Sequence, residues 1–111
     1  MSIKKVSPES LCKQIEKQED ILLLDVRTEE KYQSYHISSS KIDCLNLPKE
    51  HIFNLEVEKK STIPLEKDKE IVVVCTTGNS ALKCAKILSQ LGHRVGVLNG
   101  GINAWREFLN E

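Results

Sequence analysis

The stretch that most constrains the fold is Ile71–Ala81, which reads Ile-Val-Val-Val-Cys-Thr-Thr-Gly-Asn-Ser-Ala. Its four leading β-branched residues predict a strand that is buried on both faces. A helix is predicted next, because apolar residues recur at three-residue spacing, at Leu82, Ala85, Leu88 and Leu91. The chain therefore passes from a buried strand through a short polar loop into a helix, and the first residue of that loop is Cys75.

A cysteine in this position has a distinctive electrostatic environment. Backbone N–H groups converge where a tight loop enters a helix, and the helix dipole is positive at its N-terminal end. Both effects stabilise the thiolate relative to the thiol, and the thiolate is the nucleophilic form. The sequence therefore predicts that Cys75 is a reactive cysteine.

Composition argues against several other classes of protein. The chain has 111 residues, of which 16 are basic and 16 acidic, so nothing indicates a nucleic-acid or anionic-membrane partner. Its apolar runs are strand-sized, so we expect no membrane-spanning segment, and no apolar region of a secretory signal follows the first lysines. We expect one domain over residues 1–111 and a cytoplasmic location.

The other cysteines, Cys12, Cys44 and Cys84, lie outside this loop. No C-x-x-C pair and no histidine at metal-ligand spacing accompanies them, so we expect neither a metal nor another cofactor. In a reducing compartment all of them should be free thiols that pack as small hydrophobic residues. For Cys84, which lies in the helix after the loop, a resolving role toward Cys75 is the alternative to packing against the sheet.

The rest of the chain alternates predicted strands and helices. Further strands are predicted at Ile21–Val26, Leu45–Pro48 and Arg94–Leu98, and further helices from Pro8, Glu29 and Ile102. The highly charged residues 49–69 are consistent with either a surface helix or a long connection. This alternation predicts βαβ units and a mainly parallel sheet covered on both faces. Sites in such sheets form at the carboxyl ends of the strands, which is where Cys75 lies.

Local signals predict how several of these elements begin and end. Ser7 and Thr28 are predicted N-caps, and Val6 is expected to pack onto Leu11 at the start of the first helix. Gly92 is the expected C-terminal glycine of the helix that follows the cysteine loop. Pro48 has no N–H to donate, so the segment that contains it is expected at an edge of the sheet or with the proline at the end of a strand.

The order of these landmarks resembles the rhodanese (sulfurtransferase) domain family. The matching segments are Leu22–Arg27, Glu29–Tyr32, His36–Ile37, Ile71–Cys75, Gly78–Asn79 and Leu98–Trp105, with residues 49–69 the least clear part. The resemblance implies an α/β fold with a five-stranded, mainly parallel central sheet flanked by helices on both faces. It also implies transfer of a sulfane sulfur through a persulfide on a catalytic cysteine, the position that Cys75 matches.

The family's active-site loop is six residues long in sulfurtransferases. The matching residues here are Cys75, Thr76, Thr77, Gly78, Asn79 and Ser80. The resemblance implies that they bind substrate, with a small-molecule or protein persulfide as the sulfur donor and a thiol as the acceptor. We expect the loop amides to point inward as an anion-binding nest, since the cysteine is anionic with and without the extra sulfur.

The sequence departs from the family pattern at two places. Many members that use thiosulfate have arginine directly after the cysteine and another basic residue at the sixth loop position, where this chain has Thr76 and Ser80. The loop therefore has no formal positive charge, and we predict poor turnover of the thiosulfate dianion. The segment from Ser38 to Cys44 is a few residues longer than usual, and Tyr35 stands where glycine is common.

Other polar and aromatic residues have simpler structural interpretations. Asp25 and Arg27 are expected to connect a strand end to neighbouring loops rather than to act in catalysis. His36 is expected to form a hydrogen bond within its loop rather than to act as a general base. The remaining expectations are His51 and His93 at the surface, Trp105 in the core, and Gly100 and Gly101 in a tight turn near the cysteine loop.

Two alternative functions remain open at this point. The neutral loop is compatible with a catalytically silent rhodanese-like module that serves in binding or regulation, although the presence of Cys75 disfavours it. The second alternative is a phosphatase of related fold, which needs an arginine to hold the phosphoryl oxygens. That arginine would stand six residues after Cys75, where this chain has Ala81.

Overall fold

A parallel β-sheet forms the centre of the computed structural model, which describes residues 3–58 and 69–110. In these ranges the strands are β1 (Lys4–Val6), β2 (Ile21–Asp25), β3 (Asp43–Asn46), β4 (Glu70–Val74) and β5 (Arg94–Leu98). The helices are α1 (Pro8–Glu16), α2 (Glu29–Ser34), α3 (Lys49–Glu58), α4 (Asn79–Gln90) and α5 (Gly101–Phe108). The sheet order is β1-β5-β4-β2-β3, and each of these pairings is parallel. The fold is therefore α/β, with the five-stranded parallel sheet that the family resemblance implied.

The middle strand, β4, contributes to two hydrophobic cores on opposite faces of the sheet. Side chains alternate across a strand, and Ile71 and Val73 pack with residues of α3 and α4. Val72 and Val74 pack on the other face with residues of α1 and α5. Because all four side chains are at most 2% exposed, the prediction of a strand buried on both faces is confirmed.

The first strand, β1, was not among the strands predicted from periodicity. It is three residues long and pairs with β5 at the edge of the sheet, where Val6 is buried. A strand this short has no readable period, so its strand conformation depends on pairing with a distant segment. Val6 does share a core with Leu11, and Ser7 caps α1 by accepting a hydrogen bond from the Ser10 N–H at 3.1 Å.

The opposite edge strand, β3, begins two residues earlier than predicted and ends before Pro48. Its edge position agrees with the limit set by that proline. The charged segment that follows begins as helix α3, and Ile52 in its first turns is fully buried, so this part is more than a surface helix. Residues 59–68 lie outside the described residues. No helix in the described ranges has the length and apolar character needed to cross a membrane.

One histidine prediction is wrong, since His93 is buried rather than at the surface. The reason is the way α4 ends. Gly92 adopts a left-handed φ of 97°, its N–H bonds to the Ser89 carbonyl, and the His93 N–H bonds to the Leu88 carbonyl. This is a Schellman motif, in which the second residue after the cap packs back against the helix. The glycine was identified as a helix end, but its effect on the following side chain was not.

Candidate active site

Cys75 lies directly after β4 and is held there by its neighbours on both sides. The Val26 N–H bonds to the Val74 carbonyl at 2.9 Å, which continues the sheet hydrogen bonding to the end of the strand. On the opposite side, the N–H groups of Ile102 and Asn103 bond to the carbonyls of Cys75 and Thr76 at 2.9 and 3.2 Å. Because these carbonyls point toward α5, the loop's own N–H groups are free to turn toward the cysteine sulfur.

Two backbone amides donate hydrogen bonds to the sulfur of Cys75. The Gly78 N–H lies 2.9 Å from Sγ, and the Ala81 N–H, in the first turn of α4, lies 3.3 Å away. Gly78 has a φ of 108°, a backbone conformation that glycine adopts readily. The sulfur therefore accepts two hydrogen bonds at the positive end of a helix of twelve residues, an arrangement that stabilises an anion.

The turn between β5 and α5 packs tightly beneath this loop, as the sequence predicted for Gly100 and Gly101. Gly101 has a φ of 61°, and a Cβ added there would lie 2.6 Å from the carbonyl carbon of Thr76 and would overlap the carbonyl oxygen of Cys75. Gly78 meets the same turn, since its own added Cβ would lie 3.5 Å from the Gly100 nitrogen. Glycine at position 101 thus allows close approach of two backbone segments.

A cavity of about 120 Å³ opens beside the sulfur. It is lined by Val26, Arg27, Thr28, Lys31, Lys49, Glu50, Cys75, Thr76, Thr77 and Ser80. Four of the six residues predicted to form the site line this cavity, and Gly78 contributes its amide to the sulfur. Asn79 is exposed at the start of α4 and is not a lining residue. Cys75 is only 5% exposed, so a reactant reaches it through the cavity.

The Asp25–Arg27 pair forms the base of the cavity wall. Arg27 donates to the Asp25 carboxylate from Nε and from Nη2, the latter at 2.7 Å, and both side chains are buried. Nη2 also donates to the Tyr35 carbonyl at 2.6 Å, which fixes the end of α2. Both side chains therefore have the structural role predicted for them, and Arg27 in addition faces the cavity.

His36 is held within its own segment, as predicted. Its Nδ1 lies 2.6 Å from the Tyr32 carbonyl oxygen, and its ring stacks on the Tyr32 ring with centroids 3.9 Å apart. It does not line the cavity. Trp105 is buried in the core that contains Val72 and Val74, also as predicted.

The other cysteines are free thiols with environments unlike that of Cys75. Burial, and to a smaller extent the neighbouring Cys75, raise the pKa of Cys84 to about 12. Burial also raises the pKa of Cys44 and of Cys12. Cys84 is completely buried in the core beneath the loop, so packing is the role its surroundings support, rather than a resolving role. No cluster of three or more metal-ligating side chains occurs within the described ranges.

Comparison with known proteins shows the family of this chain. Residues 7–108 match the model of the rhodanese-like domain family. The chain belongs to the rhodanese-like domain family. A sulfurtransferase from Allochromatium vinosum is 34% identical over 104 residues, which cover 93% of this chain and 88% of the relative. The thiosulfate sulfurtransferase GlpE from Pseudoalteromonas translucida is 30% identical over 112 residues, which cover 100% and 96% of the two chains.

Solved structures agree with this assignment. A rhodanese-related protein from Thermoplasma volcanium superposes with a TM-score of 0.75 at 26% identity, and the match covers 95% of this chain and 92% of that one. The fold of this chain is therefore that of the rhodanese-like proteins, and relatives of similar length are named sulfurtransferases.

Three contributions to this rhodanese-like site were not predicted. The Ala81 amide lies one residue beyond the predicted loop, and Lys31 and Lys49 reach the cavity from α2 and α3. The contribution of the Ala81 amide can be inferred from the sequence, because the first N–H groups of a helix have no partner within the helix. Nothing in the spacing of the two lysines marks them, since they lie 44 and 26 residues before Cys75 and reach the cavity only after folding.

Proposed function

We propose that this domain is a sulfurtransferase in which Cys75 carries the sulfur between donor and acceptor. The observation that best supports this is the pair of N–H groups on Sγ, at 2.9 and 3.3 Å, beside a cavity that admits a small reactant. An anion-stabilising site that holds one thiol at a cavity suits a nucleophile that attacks as a thiolate and later leaves as a thiolate.

The proposed reaction has two steps. In the first, the Cys75 thiolate forms a bond to the outer sulfur of a donor persulfide, the donor's own S–S bond breaks, and the electron pair leaves on the donor thiolate. The hydrogen on the outer sulfur stays with it, so Cys75 becomes a persulfide. In the second, an acceptor thiolate attacks that outer sulfur and the Cys75 thiolate leaves. Thr76, Thr77 and Ser80 line the cavity and supply hydroxyl groups to the transferred sulfur, while Gly78 supplies its amide.

The test of this proposal is direct detection of the carried sulfur. The protein is treated with glutathione persulfide, and intact and peptide mass spectrometry locate any added sulfur. We expect one added sulfur atom at Cys75, its transfer to added thiol, and loss of both in Cys75→Ser. Cys12→Ser is the matched control, because Cys12 lies on α1 in the other core and should not affect loading. No sulfur at Cys75 with several donors would instead support the silent module, which the uncharged loop favours.

The uncharged loop leads to a second prediction about the donor. Thr76 and Ser80 place no cation beside the sulfur, so we expect a kcat/KM for thiosulfate well below that for a persulfide. In Thr76→Arg, a charge-assisted hydrogen bond should raise the thiosulfate value about tenfold or more. Steady-state kinetics with both donors measures this, with Thr76→Gln as the uncharged control. Thiosulfate efficiency already equal to that of an arginine-bearing rhodanese would refute the prediction.

A further inference from the structure

The cavity beside Cys75 is smaller than the sites that enclose whole ligands. Its volume of about 120 Å³ compares with roughly 300–1,000 Å³ for pockets that bury a drug-sized molecule. A donor or acceptor larger than a few atoms therefore places only its reacting sulfur inside. The remainder of such a molecule must lie across the rim, so the rim residues contact the part of the reactant that distinguishes one thiol compound from another.

The rim has a charge pattern that the loop lacks. Lys31 on α2 and Lys49 at the start of α3 line the cavity and are exposed. Neither forms an ion pair with any residue in the described ranges. Arg27, the third cation of the lining, is neutralised by its bond to Asp25. Glu50 is the one acidic side chain of the lining and is also exposed. The rim therefore has two positive charges and one negative charge.

The charges of Lys49 and Glu50 also reach the buried sulfur of Cys84, with opposite signs. Burial and the neighbouring Cys75 raise the pKa of Cys84, whereas the Lys49 ammonium opposes that rise. Cys84 belongs to the same core cluster as Cys75, so Lys49 and Glu50 both lie near the part of the molecule that holds the site.

We infer that Lys31 and Lys49 form a specificity-determining rim that favours reactants with a carboxylate a few atoms away from the reacting sulfur. This inference rests on the proposed function only in taking Cys75 as the reacting thiol. It also accounts for a loop without cations, because the selected charge lies on the body of the reactant rather than on the transferred group. Carboxylate-bearing small thiols and acidic segments of a protein share this chemistry.

The first test measures charge selectivity without requiring sulfur transfer. Bromoacetylglycine and bromoacetylglycinamide alkylate thiolates with the same reactive group and differ only in a terminal carboxylate or carboxamide. Peptide mass spectrometry gives the rate for Cys75 with each probe. The ratio of the two rates cancels any change in the thiolate fraction, because both probes react with the same thiolate.

We expect the ratio in Lys31→Gln and in Lys49→Gln to fall roughly two- to fivefold each, and further in the double variant. Glu50→Gln should raise the ratio, since it removes the opposing charge. Lys86→Gln is the matched control, because Lys86 is exposed on α4 and does not line this cavity. High salt should reduce the wild-type ratio toward that of the double variant. An unchanged ratio in the double variant, or an equal fall in Lys86→Gln, would overturn the inference.

A second test distinguishes failure of the rim from failure of the proposed function. Sulfur loading of Cys75 is compared for glutathione persulfide and for the persulfide of glutathione with both carboxylates esterified. Equal loading by both donors, in wild type and in the double variant, would overturn the inference that the rim selects carboxylates. It would leave the sulfurtransferase proposal standing. Charge-selective alkylation of Cys75 without sulfur loading by either donor would support the selectivity of the rim and reject the sulfurtransferase proposal. An acidic peptide persulfide that loads better than either small donor would identify a protein as the source of the carboxylate.

Discussion

At the scale of single residues, the surroundings of the Cys75 sulfur are built from backbone N–H and carbonyl groups. The sulfur of Cys75 is held by the amides of Gly78 and Ala81. The loop that supplies those amides is held from the other side by the carbonyl bonds to Ile102 and Asn103. Gly101 allows the two segments to meet, because any side chain there would overlap the loop backbone.

The substitution Gly101→Ala tests this dependence. Its φ of 61° and the 2.6 Å approach to Thr76 predict a loss of about 2–5 kcal/mol in the free energy of unfolding. We also expect slower alkylation of Cys75, since the loop must move. Gly92→Ala is the control, because Gly92 also has a left-handed φ, 97°, but ends α4 away from the loop. It should cost about 1–2 kcal/mol and leave the Cys75 alkylation rate unchanged. Urea titration and timed alkylation measure the two effects, and equal behaviour of the variants would contradict this account.

At the scale of elements, Asp25 and Arg27 connect three segments that form the cavity, through their buried ion pair and through the backbone carbonyl of Asp25. Asp25 ends β2, and its backbone carbonyl accepts hydrogen bonds from the Leu47 N–H and from the Asn46 side chain. Arg27 continues to the Tyr35 carbonyl at the end of α2. The ion pair thus fixes the end of α2, the helix of Lys31, relative to β2, while the backbone carbonyl of Asp25 holds the segment that leads into α3 and Lys49.

Breaking this pair on one side should be costly. Arg27→Gln leaves the Asp25 carboxylate buried without its cation, and we expect a loss of about 3–5 kcal/mol in the free energy of unfolding. The double variant Asp25→Asn with Arg27→Gln should lose less than the sum of the single variants, because no charge is then left unpaired. Denaturant unfolding of the four proteins completes the double-mutant cycle. A cost below about 1 kcal/mol for Arg27→Gln would show that the pair is not needed to hold the elements together.

At the scale of the whole molecule, the two cores on either side of the sheet have different chemical content. The core between the sheet and helices α3 and α4 contains both Cys75 and Cys84, directly beneath the site. Cys84 is completely buried, so its thiolate is strongly disfavoured in the folded protein. The stability of this core is therefore linked to pH through a residue that is not itself at the cavity.

The sign of this linkage gives a pH prediction. The pKa of Cys84 rises from an ordinary value of 9.0 to about 12 on folding, so the folded state keeps the proton longer than the unfolded chain. Its contribution to stability is fully present below pH 9 and is lost as the pH rises toward 12. Urea unfolding across this range should show the stability advantage of wild type over Cys84→Ala shrinking with rising pH. An advantage that stays constant from pH 8 to 11 would contradict the prediction.

The features that the sequence determined by itself are those coded by neighbouring residues. The β-branched run before Cys75 and the apolar spacing after it are enough to predict a strand and a helix, because each depends on local backbone preference and side-chain period. Of the six predicted loop residues, Gly78 donates its amide to the sulfur, and the second donor, Ala81, lies one residue beyond them. The caps at Ser7 and Thr28 are readable for the same reason. Even the closeness of the Gly100–Gly101 turn to the loop follows, since parallel strands bring their carboxyl ends to one edge.

Other features were decided only by tertiary structure, because they depend on contacts between segments far apart in the chain. The strand at Lys4–Val6 forms by pairing with β5, and His93 is buried because the Schellman turn folds it back on α4. Lys31 and Lys49 show the principle most clearly. Folding brings both lysines to the cavity, so a loop without charged residues lies beside a rim that has two positive charges. Their effect depends on distances that only packing fixes.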